Sequence, residues 1–94
     1  MRGRVMVYRA MPSGCEAPRV IRRGDYVTLS RQFASDHAVT SAIYHGENFD
    51  VVRVWVDRSC IKEASNPGEF LWDSEPVAGR VSLVANDAGD VSRV

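Results

Sequence analysis

Residues 23–37 read Arg-Gly-Asp-Tyr-Val-Thr-Leu-Ser-Arg-Gln-Phe-Ala-Ser-Asp-His, and this stretch decides the fold because it predicts a turn, a strand and a helix in direct succession. Gly24-Asp25 is a turn pair, and residues 26–29 have the aromatic and β-branched character of a half-buried strand. Ser30 favours a helix N-cap, because its hydroxyl accepts a hydrogen bond from an unpaired amide of the first helical turn. The chain is therefore predicted to pass from strand to helix at Ser30.

The helix that follows is predicted from residue spacing. Phe33, Ala34 and His37 recur at helical intervals. We extend the helix to about residue 38, or on to residue 43. If the helix ends at about residue 38, His37 lies in its last turn. We expect the His37 side chain to make a structural hydrogen bond there.

The junction of strand and helix is also a candidate ligand site. Thr28 and Ser30 place two hydroxyls at a helix N-terminus, which favours a phosphate-bearing ligand. The alternative is that Thr28 is only a strand residue and Ser30 only a cap. These residues alone leave both interpretations open.

The remaining chain predicts further strands separated by turns. Strands are expected at residues 4–10, 49–57, 69–72 and 79–85, at most a short turn or a brief strand at residues 20–21, and turns at residues 45–50, 66–68 and 86–90. A loop is expected at residues 11–23, a polar connection at 59–64, and an edge strand or a frayed end at the last four residues. The strand at 49–57 has the clearest pattern and is predicted to be central.

These elements predict one α+β domain over residues 1–94, a small and mostly antiparallel or split sheet with one main helix. A chain of this length buries only somewhat over 60% of its unfolded surface. The content of 45% hydrophobic and 26% charged residues argues against wholesale disorder. No apolar run approaches the roughly 20 residues that cross a bilayer, and no signal peptide is seen, so we expect a soluble, cytoplasmic protein without a membrane partner.

Charge is unevenly spread although the formal net charge is zero. Residues 1–31 carry seven arginines against Glu16 and Asp25, a balance of +5, and the remainder carries −5. This basic third either attracts phosphate groups or pairs with the acidic remainder. Arg9 is the charge at the end of a mostly apolar strand, where it needs a carboxylate partner or a ligand.

Cysteine and histidine spacing gives no metal motif. Cys15 and Cys60 lie far apart in the sequence, and neither His37 nor His45 stands at ligand spacing from them. We expect no metal site and two free thiols, with a disulfide left open.

Three separated motifs carry a family resemblance. They are Val7-Tyr8-Arg9-Ala10, then residues 24–30 (Gly-Asp-Tyr-Val-Thr-Leu-Ser) with a helix running to His37, then Gly68-Glu69-Phe70. In this order they resemble small ADP-ribosyltransferase-like domains of phage proteins and bacterial toxins. The resemblance covers roughly residues 5 to 73, and its middle motif is the most specific part.

The resemblance implies a minimal ADP-ribosyltransferase-like fold and a transferase that uses NAD as its substrate. Glu69 and Arg9 would be the catalytic pair, with Glu69 stabilising the positive ribose and Arg9 binding phosphate. Cofactor-binding residues would be Arg9, Tyr26, Thr28, Ser30 and Phe33, with either aromatic ring stacking on nicotinamide. ADP-ribose would pass from NAD to a macromolecular acceptor, protein or nucleic acid, with release of nicotinamide.

One position departs from the wider family pattern. Many members that modify proteins carry a second acidic residue two positions before the catalytic glutamate, and Pro67 stands there in this chain. Modification of arginine is therefore less expected than another acceptor, a nucleic-acid base or hydrolysis of NAD. Asp73 and Glu75 are competing carboxylates, which spacing alone does not dismiss.

Two other classes of function stay open on the sequence. A non-catalytic nucleotide or nucleic-acid binding module would keep the fold and use the basic N-terminal third. A small interaction domain would bind no ligand at all.

Overall fold

The helix and strands are taken from a computed structural model that describes residues 3–14 and 19–94. Within these residues the elements follow in the order β1 (Arg4–Pro12), β2 (Val20–Ile21), β3 (Tyr26–Val27), α1 (Arg31–His45), β4 (Phe49–Asp57), a 3₁₀ turn (Arg58–Cys60), β5 (Ile61–Glu63), β6 (Phe70–Trp72), β7 (Val77–Ala78), β8 (Arg80–Ala85) and β9 (Val91–Arg93). All the strand pairs are antiparallel. The predicted α+β class, with one helix and mostly antiparallel strands, is confirmed.

The main sheet has the strand order β1-β4-β8-β9. Strand β4 lies between β1 and β8, so its predicted central position is confirmed. Its pairing with β1 is unbroken from Arg4 opposite Asp57 to Pro12 opposite Phe49. The pairing with β8 shifts between Val51 and Val52, where the strand carries a bulge.

Each face of the main sheet packs on a different layer. Helix α1 covers one face with a buried stripe of Ala34, Ala38 and Ala42, which packs against the β4 and β8 side chains Val51 and Leu83. The opposite face carries the other apolar cluster. Its buried members are Val7, Met11, Ile21, Val27, Val52, Val56 and Trp72. Alternate side chains of β4 therefore point to opposite faces of the sheet and pack into both apolar clusters, as expected for a central strand.

The second layer is made of shorter strands, which gives the split sheet expected from the sequence. Strands β3, β6 and β5 form one small sheet, and β2 pairs with β7. A pair of reciprocal backbone hydrogen bonds joins the small sheet to the main one, since the Tyr8 amide donates to the Thr28 carbonyl at 2.8 Å and the Thr28 amide to the Tyr8 carbonyl at 2.9 Å. This bridge fixes Thr28 beside β1.

Helix α1 begins as predicted and ends later than predicted. The Ser30 hydroxyl accepts a hydrogen bond from the Phe33 amide at 3.0 Å, which confirms the N-cap. The helix continues to His45 because no glycine or proline interrupts it before Gly46, whose φ of 68° is the left-handed conformation that ends helices. The prediction that His37 closes the helix is therefore wrong, because His37 lies near its middle.

Most strand boundaries shift by one or two residues. Strand β1 runs on to Pro12, β6 begins after Glu69, and β8 begins after Gly79. Strand β3 ends at Val27, because Thr28 turns to pair with β1 instead. The connection predicted at residues 59–64 contains strand β5, and the last residues form the edge strand β9.

Gly79 occupies a position where no side chain fits. A Cβ built there would lie 2.8 Å from the Arg53 carbonyl oxygen and closer still to the Val52 Cγ1 atom. We expect Gly79→Ala to lower the free energy of unfolding by about 1–3 kcal/mol, because backbone atoms must move to make room. Urea titration measures this change. Gly3→Ala is the matched control, since no described atom lies within 4 Å of its added Cβ, and an equal loss in both variants would contradict the packing argument.

Candidate functional site

A cavity lies at the outer edge of β1, between the first half of α1 and the turn that precedes β6. Its volume is about 50 Å³, and it is partly open to solvent. Residues of β1, β3, α1 and that turn line it, namely Tyr8, Arg9, Ala10, Tyr26, Val27, Thr28, Phe33, Ala34, His37 and Glu69. This volume is well below the roughly 300–1,000 Å³ of ordinary small-molecule sites, so the cavity accommodates only part of a ligand of that size.

The register of three strands brings the distant motifs together. The bridge sets Thr28 against Tyr8, next to Arg9 in the chain. The pairing of β3 with β6 sets Val27 against Phe70, so Thr28 and Glu69 are the next residues along these two strands. Arg9, Thr28 and Glu69 therefore line one cavity although 60 positions separate the first from the last.

Arg9 is held by its neighbours and keeps donors for a ligand. Its Nη1 atom donates to the Tyr26 carbonyl at 2.8 Å, and its Nε atom lies 3.7 Å from the Asp25 carboxylate. The Arg9 side chain is 29% exposed. A guanidinium has five N–H groups in a planar fork, so these contacts fix its orientation and leave N–H groups for a phosphate or another acceptor.

The two hydroxyls at the strand end have different surroundings. Thr28 is buried, and its hydroxyl oxygen accepts from the Ser30 amide at 3.1 Å, which leaves the hydroxyl hydrogen to donate. Ser30 caps the helix and is not among the residues that line the cavity. Thr28 is thus placed to contact a ligand in the cavity, and Ser30 organises the backbone beside it.

A tight turn at residues 66–69 positions Glu69. The Glu69 amide donates to the Asn66 carbonyl at 3.2 Å, and Gly68 between them has a φ of 82°, a combination typical of a Pro-Gly turn of type II. The Asn66 side-chain amide donates to the Glu69 Oε1 atom at 3.1 Å. The turn therefore holds the carboxylate at the cavity with one oxygen bonded and the other open to a ligand.

Both predicted aromatic residues line the cavity and are accessible. Tyr26 is 48% exposed and Phe33 is 40% exposed. A Cβ added to Gly68 would lie 3.9 Å from the Phe33 ring, so this ring lies beside the turn that carries Glu69. An accessible aromatic ring in the lining offers a face on which a flat heterocycle can stack.

Tyr8 and His37 also line the cavity, although the sequence does not predict that either residue contacts a ligand. His37 follows Phe33 by one helical turn, a spacing that places both on one helix face. The structural hydrogen bond expected of His37 is not made with any residue in the described ranges. The longer helix explains the difference, since it carries His37 along the cavity wall.

The competing carboxylates lie elsewhere. Asp73 accepts a hydrogen bond from the Arg23 guanidinium at 2.9 Å, and neither Asp73 nor Glu75 lines the cavity. Among the described residues that line the cavity, Glu69 is the one carboxylate.

Three of the seven arginines of the basic N-terminal third are paired with carboxylates within the described residues. Besides the contacts of Arg9 and Arg23, Arg19 donates through Nε at 3.0 Å and Nη2 at 2.8 Å to the Asp50 Oδ2 atom. The Ser13 hydroxyl donates to the other Asp50 oxygen. Asp50 is 2% exposed, so this buried group fastens the start of β2 to β4.

The cysteine and metal-ligand side chains are described for part of the chain. Cys60 is a free thiol, and Cys15 lies outside the described residues. No group of three or more His, Cys, Asp or Glu side chains comes together in residues 3–14 and 19–94 in a way that holds a metal ion.

Comparison with protein-family models, curated proteins and solved structures finds no match to this chain. In the described ranges no helix has the length and apolar character to cross a membrane. The ADP-ribosyltransferase resemblance therefore depends on the motif residues themselves.

Proposed function

We propose that this chain is an NAD-dependent ADP-ribosyltransferase. The observation that supports this function most is the convergence of Arg9, Thr28 and Glu69 on one cavity whose lining includes two exposed aromatic residues. These are the residue types that recognition of phosphate, ribose and nicotinamide requires. The proposed setting is the cytoplasm, where NAD is present.

The binding roles follow from the contacts of each side chain. The open N–H groups of Arg9 bind a phosphate oxygen of NAD, because a guanidinium matches that geometry. The Thr28 hydroxyl donates to the nicotinamide ribose, and Tyr26 or Phe33 stacks on the nicotinamide ring. A cavity of about 50 Å³ accommodates only part of NAD, so the nicotinamide end enters it and the remainder of the molecule extends from its open side.

The proposed reaction breaks the bond between the ribose C1′ atom and the nicotinamide nitrogen. The bonding electron pair leaves with nicotinamide, and positive charge develops on the ribose. The Glu69 carboxylate stabilises this charge and accepts a hydrogen bond from a ribose hydroxyl. An acceptor atom then bonds to C1′ and gives up its proton to solvent, which completes the transfer.

The identity of the acceptor is inferred from one position in the sequence. Pro67 stands where a second acidic residue would help to activate an arginine. Since that group is missing, a nucleic-acid base, another protein side chain or water is the proposed acceptor. Transfer to water would make the same site an NAD glycohydrolase.

Release of nicotinamide from NAD by the purified protein tests the function directly. We expect release that increases when the right acceptor is added, and an NAD-dependent rise in melting temperature. Protein, DNA and RNA are supplied in separate reactions with labelled NAD. Absence of release in every reaction, together with an unchanged melting temperature, would overturn the proposal.

Arg9→Gln tests the phosphate contact. We expect the dissociation constant for NAD to rise about tenfold, because a charge-assisted hydrogen bond contributes roughly 1.5–3 kcal/mol. Isothermal titration calorimetry measures the affinity. Arg22→Gln removes an exposed arginine that does not line the cavity and is the matched control. Equal affinities of the parent and Arg9→Gln, with both folded by circular dichroism, would exclude Arg9 as a phosphate ligand.

A further inference from the structure

Helix α1 leaves one end of the main sheet uncovered. On β1, Arg4 and Met6 alternate toward the same face as Tyr8, and on β4 the matching residues are Arg53 and Trp55. Met6 lies opposite Trp55, and Tyr8 lies opposite Arg53. Arg80 of β8 lies opposite Arg53 on its other side. We refer to Arg4, Met6, Arg53, Trp55 and Arg80 as the arginine face.

The arginine face is accessible and grooved. Arg4, Arg53 and Arg80 are exposed, and Trp55 is 51% exposed although it is a large aromatic residue in a central strand. A groove of about 410 Å³, open to solvent, is lined by every member except Arg4. An exposed tryptophan flanked by arginines combines a ring for stacking with positive charge, which is the combination found on nucleic-acid binding surfaces.

Arg53 and Arg80 are the uncompensated charges of this face among the described residues. Arg53 and Arg80 make no ion pair with any residue in the described ranges, in contrast to Arg9, Arg19 and Arg23. Like charges directly opposite each other on neighbouring strands destabilise a sheet. An anion bound between the two guanidinium groups would remove that repulsion.

The far end of the face carries one acidic group. Asp57 lies opposite Arg4 and accepts hydrogen bonds from the Ser59 amide at 3.1 Å and the Ser59 hydroxyl at 3.0 Å. The Arg4 guanidinium donates to the Trp55 carbonyl at 3.0 Å. With Asp57 included, the three arginines still give a positive surface, and its most positive part is the Arg53–Arg80 pair.

We propose that the arginine face binds single-stranded nucleic acid, with a base stacked on Trp55 and phosphates bound by Arg53 and Arg80. Bases of a single strand offer their flat faces to an aromatic ring, whereas bases of a duplex are already stacked. Arginine adds a planar group suited to phosphate oxygens. This surface is distinct from the cavity, and the inference does not depend on NAD chemistry.

The binding test uses short labelled oligonucleotides of about 12 nucleotides, as single-stranded DNA, single-stranded RNA and duplex DNA, without NAD. Fluorescence anisotropy is recorded between about 50 and 200 mM salt. We expect a single strand to bind more tightly than the duplex, and the DNA and RNA reactions identify the preferred sugar. Trp55 fluorescence should be quenched, while Trp72, which is 3% exposed, acts as an internal reference.

The decisive comparison is between two double variants that remove the same charge. Arg53→Gln with Arg80→Gln should weaken binding about tenfold or more and reduce the salt slope by about 1.4, because each phosphate contact on a single strand contributes roughly 0.7. Arg22→Gln with Arg93→Gln removes two exposed arginines outside the face and should change binding little. Trp55→Ala should also weaken binding about tenfold.

Several outcomes would overturn the inference. They are absence of binding at low salt, equal losses in the two double variants, and binding of a polyglutamate peptide as tight as that of the oligonucleotide, which would indicate an acidic protein partner. Circular dichroism confirms that each variant is folded. Because NAD is absent throughout, failure here leaves the nicotinamide-release test unaffected, and failure of that test leaves this one unaffected.

Discussion

Glu69→Gln is expected to release nicotinamide from NAD about 100-fold to 1,000-fold more slowly than the parent protein. The substitution keeps the size of the side chain and its acceptor oxygen for Asn66, but removes the negative charge that faces the developing positive ribose. Loss of one such electrostatic contact typically costs this much in rate. Chromatographic measurement of nicotinamide under saturating NAD checks the prediction.

A second carboxylate variant controls for a general loss of negative charge. Glu75→Gln changes an exposed glutamate that the sequence left as a competitor and that does not line the cavity. We expect its rate to match the parent. A parent-like rate for Glu69→Gln, or an equal loss in both variants, would remove Glu69 from the proposed mechanism.

The largest expected effect on stability comes from Arg19→Met. Asp50 is 2% exposed, and without Arg19 it keeps only the Ser13 hydroxyl as a hydrogen-bond partner among the side-chain contacts described above. Removal of one partner from a buried ion pair leaves an uncompensated charge and costs about 3–5 kcal/mol. We expect about 3 kcal/mol, because the Arg19 side chain is 39% exposed and water reaches the pair. Urea denaturation monitored by circular dichroism measures the loss.

Arg23→Met is the matched control for this prediction. It removes an arginine from the pair with Asp73, whose side chains are 58% and 41% exposed. Exposed pairs contribute about 0–1 kcal/mol, so the expected loss is small. If the two variants lose the same free energy of unfolding, burial of Asp50 is not what makes its ion pair important.

The sequence predicts the fold well where local signals agree. Residues 49–57 alternate clearly and form β4 with the predicted bounds. Ser30 combines a capping hydroxyl with a helical pattern behind it, and the helix starts there. The Asn66-Pro67-Gly68 signal predicts the turn that sets Glu69, because proline and glycine restrict the backbone to few conformations.

The features that the sequence does not predict depend on distant contacts. Thr28 leaves its own strand to pair with Tyr8, and nothing within residues 26–29 signals that exchange. Asp50 and Arg19 are 31 positions apart, so a local sequence pattern does not predict their ion pair. The arginine face arises from three strands whose order is known only once the sheet has formed.

The sequence predicts which residues belong to the candidate site better than it predicts how they are arranged. Five of the six residues assigned to NAD binding or catalysis line one cavity, and Ser30, the sixth, caps the helix beside it. The family pattern supplied Arg9 and Glu69, which a single sequence does not mark as neighbours. The sequence places His37 at a helix end because the shorter predicted helix stops at about residue 38, whereas α1 continues to His45.

The alanine stripe of α1 has a consequence for the motion of the cavity wall. Each of Ala34, Ala38 and Ala42 buries a single methyl group against the sheet, so the stripe contributes only about 2–3 kcal/mol at roughly 0.8 kcal/mol per buried carbon. Helix α1 should therefore detach and re-form by local opening far more often than β4, and its amide hydrogens should exchange with solvent sooner. A ligand that touches both Phe33 and Glu69 would tie the helix to the small sheet and slow that exchange.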